Sequence, residues 1–152
     1  MKPPSTRLPA PPGPLAGLDP GRSKCGLVRT DGDCRQVLEA VVQPPDRCLE
    51  RLLAWKQQGL ITAVVLGDGT GSGTWRSRLE GLLPLHMVPE WGTTLEARRR
   101  YWELEPARGW RRLLPEGLRQ PPRDWDDIVA QLLVERWLGA NLERAPGLGR
   151  DS

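Results

Sequence analysis

Three acids stand where an α/β chain can assemble hydrolytic chemistry: Asp19, Glu90 and Asp126. Asp19 follows the apolar run Leu15–Leu18 and enters the reversal Pro20-Gly21, in which Pro fixes φ and Gly tolerates φ > 0. An acid at the tip of a central strand is held rigidly, as a metal-binding carboxylate must be. Glu90 closes the short run Leu85–Val88, and Asp126 opens the last helical segment. Where the strands ending in Asp19 and near Glu90 run parallel, their C-terminal ends share one edge, the usual site edge of an open α/β sheet. Three carboxylates without a Cys or His cluster suit a hard cation, Mg²⁺ or Mn²⁺. Two such ions about 4 Å apart activate water and stabilise the leaving oxygen of a phosphodiester. Each acid also has a plainer reading. Asp-Pro-Gly is a common turn, Glu90 can be a surface acid at a strand end, and Asp126 or Asp127 can cap a helix. Asp124 can take the capping role and leave Asp126 facing inward.

Other groups fit less chemistry. Gly67–Gly73 joins a strand to a helix, where backbone N–H groups can meet phosphate, with Thr70 and Ser72 as added donors. The stretch lacks the third glycine of the dinucleotide fingerprint and the Lys-Ser/Thr of the P-loop. The pattern argues against a nucleotide-cofactor site and leaves a loop touching a nucleic-acid backbone or a plain flexible turn. The one histidine, His86, lies inside an apolar strand and reads as structural. Cys25, Cys34 and Cys48 show no CxxC spacing, which argues against a zinc site or disulfide framework and for a reducing cytoplasm. Between residues 98 and 123 stand eight arginines against Glu103, Glu105 and Glu116, although the whole chain carries only +3. Guanidinium suits bidentate phosphate contacts; a solvated basic surface is the alternative.

The elements that must position these groups follow from hydrophobic period and punctuation. The pattern predicts strands over Leu15–Leu18, Gly26–Thr30 and Cys34–Val42, the last two joined by the turn Asp31–Asp33. Pro44-Pro45-Asp46 opens a helix with Cys48, Leu49, Leu52 and Leu53 on one face, stopped at Gly59. Leu60–Leu66 is a continuous apolar run suited to a strand buried on both faces. A helix over Thr74–Leu83 buries Trp75, Leu79, Leu82 and Leu83, and a fifth strand spans Leu85–Val88. Thr93–Glu96 resembles a capping box opening a helix to about Glu103. The last helix, about Asp126–Leu138, places Ile128, Val129, Leu132 and Leu133 together. The result is an α/β chain with a mixed five-stranded sheet, a three-strand hairpin part plus two parallel strands, flanked by helices. With 152 residues it makes one domain, expected over residues 15–139. Six of the first 14 residues are Pro, so 1–14 are expected to be disordered, and 140–152 to form a flexible tail. No stretch approaches the length of apolar residues that a membrane span or secretory signal needs.

Leu18–Gly21 with Gly26, Glu90 with Thr93–Ala97, and Trp125–Ala130 ahead of an amphipathic helix resemble the YqgF family. This family is also described as Holliday junction resolvase-like or pre-16S rRNA processing nucleases, within the RNase H-like superfamily alongside the RuvC resolvases. The resemblance covers about residues 15–139, in order. It implies that Asp19, Glu90 and Asp126 are catalytic and metal-binding, with Mg²⁺ (or Mn²⁺) as cofactor. It also implies phosphodiester hydrolysis in structured nucleic acid, with an rRNA precursor favoured and branched DNA as the alternative, by a monomer or homodimer. A non-catalytic, RNA- or ribosome-associated binding module is the reading from another class. Pro89 and Trp91 flank Glu90 where the family often has Asp and Arg. The segment 101–123 is expected to supply the missing positive charge, with Tyr101, Trp102 and Trp110 available to stack on unpaired bases. The expected nucleic-acid contacts are Arg22, Thr70, Ser72, Arg98, Arg99, Arg111 and Arg112.

Overall fold

Strands β1 (Leu15–Asp19), β2 (Cys25–Thr30) and β3 (Gln36–Gln43) form an antiparallel meander, with Asp19 opposite Gly26 at one end. The computed structural model describes residues 12–119, 121 and 123–148. In the β2–β3 turn, the Asp31 carboxylate accepts the N–H groups of Arg35 and Gln36 at 2.8 and 3.0 Å, the local closure for which Asp is favoured in turns. Helix α1 (Pro45–Gln57) begins on Pro45, whose missing N–H costs nothing in a first turn. It returns the chain to β4 (Ala63–Gly67), parallel to β1 and buried along its whole length, as the unbroken apolar run requires. Helix α2 (Ser72–Leu79) leads to β5 (Leu85–Val88), parallel to β4. Helices α3 (Thr93–Leu104) and α4 (Asp126–Leu138) follow, separated by two 3₁₀ turns, Gly109–Leu113 and Glu116–Leu118.

The strand order β5-β4-β1-β2-β3, with β1–β3 antiparallel and β4 and β5 parallel to β1, matches the expected mixed α/β architecture. One correction concerns the strand count. A sixth strand, β6 (Glu143–Arg144), lies parallel to β3, so among the described residues the sheet has six strands. Alternation along β1 decides the layers. Ala16 and Leu18 face Cys48, Leu52 and Trp55 of α1 and Trp75 and Leu79 of α2. Leu15 faces the opposite side with Val28, Val65 and, from α4, Ala130, Leu133 and Val134. A third cluster joins Ala97, Tyr101 and Trp102 of α3 to Ile128, Val129 and Leu132 of α4.

Helix α4 sits closer to the sheet than side chains would normally allow. A Cβ on Gly17 would fall 2.6 Å from the Ala130 carbonyl oxygen, and a Cβ on Gly26 would overlap the Asp126 carbonyl and come within 2.7 Å of the Asp127 nitrogen. Glycine at both positions brings the first turn of α4 onto the strand end that carries Asp19. Behind it, buried Asp127 accepts from Arg123 at 2.9 Å and from Arg144 at 3.0 Å. Gln131 donates to the Leu142 carbonyl at 3.1 Å and accepts from Arg144 at 2.9 Å. Arg100 bonds the same carbonyl and faces Glu135 at 3.4 Å.

Several of these contacts reach past residue 140, where a flexible tail was expected. Leu142 is buried and Arg144 is held by α4, so the chain is pinned through this stretch. Residues 12–14 are held as well: Thr62 bonds the carbonyls of Pro12 and Pro14, and Cys34 Sγ donates to that of Gly13 at 2.9 Å. The Pro-rich residues before them, and those after 148, lie outside the described residues. Helix α2 ends at Leu79 and leaves Leu82 exposed. The Thr93–Glu96 box is not formed. Thr93 already lies inside α3, and its hydroxyl donates to the Glu90 carbonyl at 2.6 Å. Asp46 makes no cap either, because α1 starts on Pro45. Among the described residues no helix is long and apolar enough to cross a membrane.

Replacing Gly26 by Ala must push α4 off β2, because the obstacle is backbone. Gly26→Ala is expected to lower stability by roughly 3 kcal/mol or more, read as a fall in the urea midpoint. Gly73→Ala, where the added methyl meets open space, is expected to be neutral or stabilising by up to about 1 kcal/mol.

Candidate active site

A cleft of about 350 Å³ opens at the C-terminal edge of β1 and is lined by Asp19, Glu90 and Asp126, together with Lys24, Thr93 and Asp124. The chain delivers the three acids by different routes. Asp19 is the last residue of β1, and its turn is closed by Gly21 and Cys25, whose N–H and thiol stand 3.4 Å apart. Asp126 is the first residue of α4 and is seated by the close approach at Gly26.

Glu90 follows β5 and is clamped through its backbone. Its N–H donates to Asp68 Oδ1 at 3.0 Å, and its carbonyl accepts from the N–H of Thr93 at 3.1 Å as well as from the hydroxyl. Its carboxylate lies in a hollow left by two glycines. A Cβ on either Gly67 or Gly69 would overlap the Glu90 carboxylate. The glycine-rich loop therefore seats an acid, a role that the sequence reading did not assign to it. The signal was present in the alternation of Gly67, Gly69 and Gly71 beside a strand whose parallel neighbour ends next to Glu90. Gly71, at φ 90, lies against Pro20 and completes the contact between loop and turn. Thr70 is exposed and Ser72 opens α2; neither is among the residues lining the cleft.

Confinement sets the electrostatics. Burial, then the charges of Glu90 and Asp126, push Asp19 up to about 8. Burial also raises Glu90, with the Gly69 N–H pulling the other way, and raises Asp126, with Lys24 opposing. Lys24, also missed in the sequence, is the cation among the cleft-lining residues; its ammonium is 2.7 Å from Asp124 and 3.9 Å from Asp126. Asp124 thus pairs with Lys24 rather than capping α4, for which no side-chain cap is formed. The buried Glu90 Oε1 has no hydrogen-bond partner among the described residues.

Among the described residues no three His, Cys, Asp or Glu side chains are gathered tightly enough to ligate an ion as they stand. The donor set nevertheless fits a hard divalent cation: all oxygen, in carboxylate excess, with one buried acceptor unused.

The arginine-rich segment is spent largely on the protein itself. Arg98 donates to the carbonyls of Gly117 and Arg119 at 3.0 Å each, which pins the 3₁₀ turns to α3. Arg119 bonds the carbonyls of Arg111 and Leu114, and Arg123 bonds Glu105 and Asp127. Tyr101 and Trp102, expected to stack on bases, are buried between α3 and α4. Arg22, Arg99 and Arg112 are exposed, while Arg111 packs 5.1 Å from the ring of exposed Trp110. His86 stacks on Trp137 at 4.2 Å, consistent with a structural role.

The raised Asp19 carries a stability prediction with a definite sign. Between its unfolded value near 4 and its folded value of about 8, the folded state binds the proton more tightly. Stability from this group is therefore greatest below pH 4 and falls as pH rises toward 8. In chelator, Asp19→Asn is expected to melt on the order of 5 °C above wild type at pH 8, with the gap closing toward pH 4. Gly69→Ala displaces the Glu90 carboxylate and is expected to lower divalent-ion affinity at least about tenfold, measured by calorimetric titration with MnCl₂.

No protein-family profile and no curated protein matches this chain. Among solved structures it is similar to RuvC of T. thermophilus in complex with Holliday junction substrate, at 15% identity over 82% of this chain and 96% of that one, with a TM-score of 0.46. Thermus thermophilus RuvC on its own matches at 16% identity over the same shares, with a TM-score of 0.41. A ROK hexokinase from Thermus thermophilus matches at 22% identity over 59% of this chain and 37% of its own, with a TM-score of 0.38.

Proposed function

We propose that this chain is a divalent-metal-dependent endonuclease that hydrolyses phosphodiesters in structured nucleic acid. The observation that carries the reading is the convergence of three acids from separate elements on one cleft. Asp19 is half-buried, raised first by that burial and then by the charges of Glu90 and Asp126, and shares one cleft with both. Like charges held together at a cost in stability mark functional sites more often than structural ones.

Asp19, Glu90 and Asp126 would hold Mg²⁺ or Mn²⁺, which when bound supplies water activation and charge neutralisation at the leaving oxygen. The chain's own residues do the remaining work. Gly67 and Gly69 keep the Glu90 carboxylate aimed into the cleft, and α4 keeps Asp126 against the end of β2. Lys24 lies on the rim, where its ammonium can meet a phosphate oxygen once it leaves Asp124. Exposed Arg22, Arg99 and Arg112 contribute salt-sensitive backbone attraction. The resemblance to the YqgF family favours an rRNA precursor, processed at its 5′ side, over a four-way DNA junction. Paired cuts at a junction need a symmetric dimer. Three free thiols fit a reducing compartment such as the cytoplasm.

Incubation of a labelled RNA hairpin bearing a 5′ flank, and of a four-way DNA junction, with protein and MgCl₂ tests this reading. Wild type is expected to cleave the RNA, and Asp19→Asn to be slower by at least about 100-fold. Selective cleavage of the junction would reassign the substrate. Equal background from both proteins would leave a non-catalytic binding module in place of the enzyme.

A further inference from the structure

Tryptophan 91 is 79% exposed and directly follows Glu90, which lines the cleft. A large apolar ring left in water beside a site invites a reason. Trp110 is also exposed with Arg111 5.1 Å from its ring, but it lies on a 3₁₀ turn and does not adjoin a residue lining the cleft. Trp55, Trp75 and Trp102 are buried in the core clusters, and Trp137 is covered on one side by His86. Trp91 instead rests on the guanidinium of Arg136, whose central carbon is 5.5 Å from the ring centroid. Arg136 is itself fixed from two directions. It donates to the Pro89 carbonyl at 2.7 Å and pairs with Glu96 at 3.3 Å. The backbone of the turn is set by Gly92 at φ 75, a conformation that glycine alone adopts without penalty. One face of the indole is thus backed by a cation, and the other is open to solvent.

We propose that Trp91 is a stacking platform for an unpaired nucleobase beside the cleft of Asp19, Glu90 and Asp126, and that it selects substrates with unpaired nucleotides at that position. The proposal rests on the nuclease reading and adds the class of substrate. An exposed indole stacks on any base, because every base offers a π face. The cation behind it adds positive potential where the neighbouring phosphate would run. A base inside a continuous duplex keeps its own stacking partners and cannot use the platform. This residue takes over the stacking role first expected of Tyr101 and Trp102, which the fold buries.

Fluorescence anisotropy in chelator separates binding from cleavage. The probes are a fluorescein-labelled RNA hairpin with a single-stranded flank and a blunt RNA duplex of the same length. Trp91→Ala is expected to weaken hairpin binding about tenfold, and Trp91→Phe to weaken it less, with duplex binding unchanged for both. Trp110→Ala, at an exposed ring on the far 3₁₀ turn, is expected to leave the difference between the probes intact. Melting temperature checks that the variants are folded. Equal losses on both probes, no loss on either, or a wild type that does not prefer the flanked hairpin would overturn the proposal. If wild type cleaves in MgCl₂ while Trp91→Ala binds like wild type, stacking fails and the nuclease reading survives. The reverse pattern, a Trp91-dependent preference without cleavage, leaves the platform and removes the enzyme.

Discussion

Helix α4 rests on the backbone of β1 and β2, and most of what this molecule can do depends on that approach. Hydrogen in place of Cβ at Gly17 and Gly26 brings Asp126 to the strand end that carries Asp19. A helix standing off by one methyl group would carry its first residue away from the cleft. The same device recurs on the other side, where Gly67 and Gly69 leave a hollow filled by the Glu90 carboxylate. Four glycines therefore act together to concentrate negative charge. The consequence is visible in Asp19, raised to about 8 by burial and by its two neighbours.

Such confinement opposes folding, so something rigid must oppose it in turn. On the sheet side this is the two-faced core, with β1 and β4 fully sandwiched between helices. On the α4 side it is the buried ionic network of Asp127, Arg123, Arg144 and Gln131. Buried pairs of this kind add little net stability compared with apolar packing, yet breaking one leaves an uncompensated charge. They therefore fix one geometry. Asp127 is next in sequence to Asp126, so the network that holds the former orients the helix turn that presents the latter.

Much of the architecture was readable from sequence, because hydrophobic period reports burial directly. The Asp31 turn closes as its pattern predicts and the apolar run ending at Leu66 supplies the buried β4, whereas the predicted Ile128–Leu133 face is split: Ile128, Val129 and Leu132 meet α3 and Leu133 meets the sheet. The shared cleft of Asp19, Glu90 and Asp126 also follows once strand order is inferred, since parallel strands put their C-terminal ends on one edge. What escaped were features made by tertiary contact. Charge composition could not tell that Arg98, Arg119 and Arg123 are turned inward onto carbonyls and acids. The pinning of Leu142 and Arg144 depends on α4 rather than on any local propensity. Lys24 and Arg136 had no local signature, as each acquires its role from residues far along the chain.

The claim at the centre of this account is that three acids, remote in sequence, form one divalent-ion site. Electron paramagnetic resonance of Mn²⁺ titrated into the 152-residue chain reads that site without requiring turnover. Wild type should take up the ion, and Asp19→Asn, Glu90→Gln and Asp126→Asn should each weaken uptake at least about tenfold. Uptake that survives all three substitutions unchanged, or none by the wild type at millimolar ion, would contradict the account.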